Sequence, residues 1–162
     1  MTSPLRLLIQ HIMVRRNAST IPTCIRPLEE FKRILVLIDG DAYDAARVAA
    51  NVEDFFISRG KELTVLAASR ASINIFSGSV RKKFRLAARE DGDEDLFISL
   101  IPRRYAFASK FEAIASPAKC KIGCSTTGQK QVFDLTVTAP DNAEFGQLEA
   151  FWAVVDLLDH IQ

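Results

Sequence analysis

Residues 32–44, KRILVLIDGDAYD, constrain the fold more than any other stretch. Five consecutive apolar residues, Ile34 to Ile38, break off at Asp39-Gly40-Asp41. A strand that is apolar on both faces must be covered on both, and a parallel sheet sandwiched between helices provides that cover. The helical pattern that follows places Asp39 and Asp41 at the carboxyl end of the strand, where open α/β sheets hold their ligands. The expected fold is a single Rossmann-like, three-layer α/β domain with a mainly parallel sheet.

A chain of 162 residues suits one such core. A net charge of +1 argues against whole-surface attraction to nucleic acid. The charge is segregated, however. Residues 1–33 hold six Lys/Arg against Glu29 and Glu30, while the remainder holds fifteen bases and eighteen acids. The three cysteines, Cys24, Cys120 and Cys124, make no even-numbered framework, so a reduced, cytoplasmic setting is the default. On a strand, Cys120 and Cys124 share a face about 13 Å apart, which is too far for one metal and suits buried thiols. No apolar run approaches the ~20 residues of a membrane span.

Taken in order, the strand at 32–38 leads to a helix from Asp41 or Ala42 to Ser58, with Val48, Val52, Phe55 and Phe56 inward. Asp41 or Asp44 is placed to cap it. A second strand is expected at 62–68, a spacing that fits a right-handed crossover. Residues 69–93 are the hardest to read: SINIF suits a short strand or a helical turn, and VRKKFRLAAR suits a basic, solvated helix face. A third strand at 95–101 stops at Pro102. A helix then runs from Arg103 to about Ala115, with Phe107, Phe111 and Ile114 inward. Strands at 119–124 and 132–138 flank a polar loop at 125–131. The last helix, 145–161, aligns Leu148, Phe151, Trp152, Val155 and Leu158, with Trp152 as a core anchor.

Residues 1–30 stand apart from a domain expected over 31–162. PLRLLIQHIMVRR places Leu5, Leu8, Ile9 and Ile12 at helical spacing, flanked by Arg6, Arg15 and Arg16, with no acid before Glu29. Such a basic amphipathic helix fits docking on its own domain or a protein partner, and also a membrane surface. Its Arg-rich, acid-poor composition matches a targeting segment too. A Pro-containing extended linker, 17–30, follows.

The succession ILVLID, DLFISL, SPAKCKIG and FDLTV before a C-terminal helix resembles a family of small α/β domains of Bacteroidota with an IGILxD-type strand and a late A-K-x-K-I-G…D-L motif. The matching residues are Ala118, Lys119, Lys121, Ile122, Gly123, Asp134 and Leu135. That resemblance implies a fold and carries little chemistry. DLFISL…SPAKCKIG is also similar to the N-terminal half of the ADP-heptose glycosyltransferases. Those enzymes bind their nucleotide sugar largely through a second half, so a complete transferase of that kind is not the expectation.

LIDGD is similar to the opening strand of NYN/PIN-like nucleases, whose carboxylates bind Mg²⁺ for phosphodiester cleavage. Asp39 and Asp41, with Asp44 close by, offer the hard oxygen ligands this requires. The further acids, Asp93 and Asp95, are expected at the amino end of their strand, opposite to where such a site gathers its ligands. A turn begun by Asp39 and a cap from Asp41 or Asp44 is the plainer account. His11 and His160 lie near no nucleophile elbow, and no glycine-rich phosphate loop occurs. Ser77-Gly78-Ser79 is a weak anion motif. The expected function is thus a non-catalytic binding or scaffold module without a cofactor. It is tethered through Leu5, Arg6, Leu8, Ile9, Ile12, Arg15 and Arg16 to a protein partner or a membrane surface, in the cytoplasm. The alternative is a Mg²⁺-dependent nuclease or phosphohydrolase using Asp39 and Asp41.

Overall fold

The computed structural model describes residues 3–125, 132–139 and 146–162. Five strands form one sheet: β1 (Arg33–Asp39), β2 (Glu62–Ala68), β3 (Leu96–Ser99), β4 (Cys120–Ser125) and β5 (Leu135–Thr138). Their order is β2-β1-β3-β4-β5, and every pair is parallel. Five helices accompany them: α1 (Pro4–Asn17), α2 (Ala45–Ile57), α3 (Lys82–Ala87), α4 (Ala106–Ala115) and α5 (Gln147–Asp159). This is the Rossmann-like α/β domain expected, with a doubly wound order whose direction of winding reverses between β1 and β3.

The apolar run of β1 works as the sequence implies, since Ile34 to Ile38 are all buried between neighbouring strands and two helical layers. Alternation sorts the side chains. Ile34, Val36 and Ile38 join β3's Leu96 and Ile98 and β4's Cys120, Ile122 and Cys124 against α2 and α5. Leu35, Leu37 and Phe97 face the other way, towards α4 and the segment around α3. On the first side Phe55, Phe56 and Phe151 meet edge to face, with ring centroids 4.9–6.1 Å apart. Burial pushes the Cys120 thiol up to about 11 and Cys124 to about 12, so both act as small hydrophobes.

Several boundaries differ from the sequence reading. α2 starts at Ala45 and α4 at Ala106, because both βα connections first make turns. Asp44 occupies the position before α2 without a side-chain capping bond. β3 is only Leu96–Ser99, β5 begins at Leu135 and α5 covers Gln147–Asp159. SINIF is neither strand nor helix; only Ile73 bridges to Val80, antiparallel. Trp152 is no core anchor. It is 46% exposed, because the buried stripe of α5 runs through Gln147, Ala150, Phe151, Val154, Val155 and Leu158. Trp152 instead caps the outer edge of Phe55, 6.5 Å between centroids. The expected loop at 126–131 lies outside the described residues.

The segment after α1 is a strap tied across the amino ends of the strands. Ser19 N–H donates to Ile114 O (2.9 Å), Cys24 N–H to Lys119 O (2.9 Å) and Thr23 Oγ1 to Asp134 Oδ1 (2.6 Å). Leu28 and Phe31 then enter the core beneath α2, where Lys61 Nζ donates to both of their carbonyls. Among the described residues no helix is long and apolar enough to cross a membrane.

Candidate functional site

The carboxyl end of β1 carries the first cluster. Gly40 permits the chain to turn there; a Cβ would stand 2.9 Å from that of Ala67. Asp39 is buried, and Arg104, from the connection after β3, grips it through Nε to Oδ2 (2.7 Å) and Nη2 to Oδ1 (3.0 Å). Oδ1 also accepts the Asp41 N–H at 2.9 Å. Gln147, at the start of α5, clamps the backbone of Asp39 from the other side, donating to its carbonyl and accepting from its N–H. The Asp41 carboxylate accepts from the Tyr105 hydroxyl and from Arg70 N–H (2.9 Å), and these bonds hold its pKa below the ordinary value. Tyr105 adopts a left-handed backbone, φ 63°, which is uncommon for so large a side chain.

Both sequence-predicted acids are therefore brought together, but in the company of a guanidinium. Asp39 does begin a turn, while Asp41 fastens the β2 and β3 connections rather than capping α2. Asp95 lies at the opposite end of the sheet, where its carboxylate accepts the N–H groups of Lys32 and Arg33. Among the described residues no three His, Cys, Asp or Glu side chains converge as a metal site. Arg70, Arg104, Tyr105 and Gln147 escaped the sequence reading. The basic-aromatic run Arg103-Arg104-Tyr105 directly after a buried strand was the available signal.

The late motif is structural in what it touches. Gly123 lies against the Phe133 ring, where a Cβ would approach to 2.4 Å. Asp134 accepts the Lys121 N–H (2.7 Å) and the Thr23 hydroxyl, joining β4 to the strap. The Lys121 side chain is buried on the α4 side, and desolvation lowers its pKa. Lys119 is exposed. The backbone N–H groups of Ser77, Gly78 and Ser79 are all taken internally, by Asn74 or Ser77, which leaves the anion motif no free donor.

The second site is a groove of about 780 Å³ between α1, α3 and α4. α1 rests on the domain by one edge. Gln10 Nε2 donates to Ser77 O (2.7 Å), and the head of Arg6 covers Gly78. Ile9 and Met13 line the groove, facing Phe76, Val80, Leu86 and Phe111. Leu5, Leu8 and Ile12, whose stripe fits docking on the domain as well as on a partner or membrane, point away from the domain and are 65%, 55% and 40% exposed. Arg15 and Arg16 stand exposed at the end of the same helix.

Beneath the groove, the basic stretch around α3 is only half a solvated face. Arg89 pairs with Glu94 through two bonds (2.7 and 3.0 Å), and Ser116 donates to the same carboxylate. Arg85 Nε lies 2.6 Å from Oε1 of fully buried Glu112 and its guanidinium covers the Phe111 ring, yet neither Glu112 oxygen receives an aligned hydrogen bond. Desolvation accordingly raises the Glu112 pKa, against the pull of Arg85 and Arg89. Arg81 and Lys82 remain exposed at the groove's mouth.

The fold and these two sites define a Rossmann-like α/β domain with a satisfied polar cluster at its switch point and an open, basic-rimmed groove beside its first helix. The chain matches no family model, and no curated protein matches it significantly.

Proposed function

We propose that this protein is a non-catalytic binding module. Its docking surface is the outward side of α1 together with the groove that α1 borders, and its partner is an acidic, amphipathic segment of another polypeptide chain. One observation carries the reading: α1 is held to the domain by Arg6 and Gln10, so that Leu5, Leu8 and Ile12 stand in solvent beside groove-lining Ile9 and Met13. Leu5, Ile9 and Met13 succeed each other at four-residue intervals, which makes one ridge from the exposed stripe into the groove. Exposed apolar residues rimmed by polar ones are characteristic of recognition surfaces.

Charge selects the partner. Arg81, Lys82, Arg85 and Arg89 outnumber Asp93 around the groove, Arg15 and Arg16 stand exposed at the end of α1, and no acid occurs before Glu29. An amphipathic helix seated in such a groove presents apolar anchors at three- and four-residue spacing and acids at its flanks. A protein partner is favoured over a lipid surface because α1 carries no Trp, Tyr or Phe to anchor it at an interface.

A displayed peptide library selected against the full chain tests this. Enriched peptides are expected to place acids and apolar residues at helical spacing, and Phe76→Asp should abolish their binding. Failure to enrich such peptides, or binding indifferent to Phe76→Asp and Leu8→Asp, overturns the proposal. Binding to phosphatidylglycerol vesicles that Leu8→Asp removes, with no peptide enriched, would replace the protein partner by a membrane.

A further inference from the structure

The near-neutral net charge conceals helical layers of opposite sign, with the exposed acids Glu90, Asp91 and Asp93 on the connection after α3. Helices α1, α3 and α4 lie on one side of the sheet and together carry seven Lys/Arg, with Glu112 as their single acid and that one buried. Helices α2 and α5 cover the other side and carry Glu53, Asp54, Glu149, Asp156 and Asp159 against Arg47 alone. The outer face of α5 sets one exposed aromatic anchor among acids, a pattern complementary to the groove. Glu149, Trp152, Asp156 and Asp159 are all exposed at spacings of three and four residues, with Trp152 as a large apolar projection at their centre.

Resting on the proposed role of the groove, we infer that its occupant is a second copy of this chain, entering with the exposed face of α5. Trp152 of one copy meets Phe76, Leu86 and Ile9 of the next. Its Glu149, Asp156 and Asp159 meet Arg81, Lys82 and the arginines of α1. Aromatic anchors in an apolar cleft with a charged rim are the usual arrangement of an interface's energetic centre. The donor and acceptor faces lie in opposite layers of the same domain, so one pair of molecules leaves one face of each kind vacant. The contact is heterologous and propagates head to tail, closing into a ring or continuing as a filament.

The experiment is sedimentation velocity on the full chain over a range of concentrations and salt. The weight-average mass is expected to exceed one protomer and rise with concentration, and to fall with added salt as screening weakens the charged rim. Two variants break opposite faces: Trp152→Ser with Asp156→Lys on α5, and Phe76→Asp with Lys82→Glu at the groove. Each is expected to be folded by circular dichroism and monomeric alone. Mixed in equal amounts, the groove variant's intact α5 fills the α5 variant's intact groove, and the mixture forms a one-to-one pair and nothing larger. A monomeric wild type at every concentration overturns the inference, as does self-association that survives either variant, or a mixture that does not pair. A monomeric wild type that still binds the selected peptides loses only the second copy as occupant. Loss of peptide binding and of self-association together removes the groove's role as well.

Discussion

The two helical layers cover the same sheet by different chemistry. The α2/α5 layer is apolar apart from Gln147 at its edge, knitted by Phe55, Phe56 and Phe151. The α4 layer buries polar groups in the same depth of protein: Ser99 bonded to Ser109 at 2.6 Å, Glu112 against Arg85, and Glu94 between Arg89 and Ser116. An apolar layer gains stability from every side chain and accepts many arrangements. A layer with buried charges gains less, since desolvation offsets much of the attraction, and it depends on each partner staying in place. The groove opens over the second layer, where short α3 and the edge of α1 leave apolar surface uncovered.

That contrast can be broken most severely in the aromatic cluster. Phe56→Ala removes a fully buried ring and is expected to lower unfolding free energy by about 4 kcal/mol, read from urea denaturation. Next comes Glu112→Ala, which strands Arg85 against the Phe111 ring; about 3 kcal/mol is expected. A loss below that of an ordinary surface substitution would mean that the ionic cluster contributes nothing to the fold. Gly123→Ala, forcing a methyl into the Phe133 ring, is expected to cost about 2 kcal/mol.

The same carboxyl also gives the polar layer a pH signature that the apolar one lacks. The folded-state pKa of Glu112 is raised, so the folded protein holds this proton more tightly than the unfolded chain. Its contribution is fully present below the ordinary 4.5 and is lost as pH rises through the raised value. Glu112→Gln should flatten that portion of a stability–pH profile, whereas Phe56→Ala should only shift the profile down. The smallest effect is expected at the carboxyl end of β1. Arg104 is half exposed, so Arg104→Ala should cost less than any of these substitutions. Because Arg104 occupies both Asp39 oxygens, Mg²⁺ is expected to leave the wild-type melting temperature unchanged. A rise that Asp39→Asn abolishes would favour the metal-dependent hydrolase instead.

Alternation and run length made much of the fold legible. Ile34 to Ile38 declared a strand buried on both faces, and Val48, Val52, Phe55 and Phe56 declared the inward side of α2, because local periodicity reports which face meets the core. Residue pairs distant in the chain were not legible. Nothing local in IDGD announces Arg104, sixty-five residues on, or Gln147 beyond it. The apolar stripe of α1 was visible in the sequence, and its direction was not. Leu5, Leu8 and Ile12 make the same pattern whether they dock or project, and the bond from Gln10 to Ser77, the cover of Arg6 over Gly78 and the packing of α1 beside α4 turn them outward. Trp152 shows the same limit from the other side: helical spacing placed it beside the core, and the packing of α5 against Phe55 left it on the rim. The sequence by itself determined which segments are strands and helices and which faces are apolar, since those follow from neighbours a few residues apart. The tertiary structure alone decided which apolar face stays in solvent and which acid receives a cation, since both depend on elements that only folding brings together.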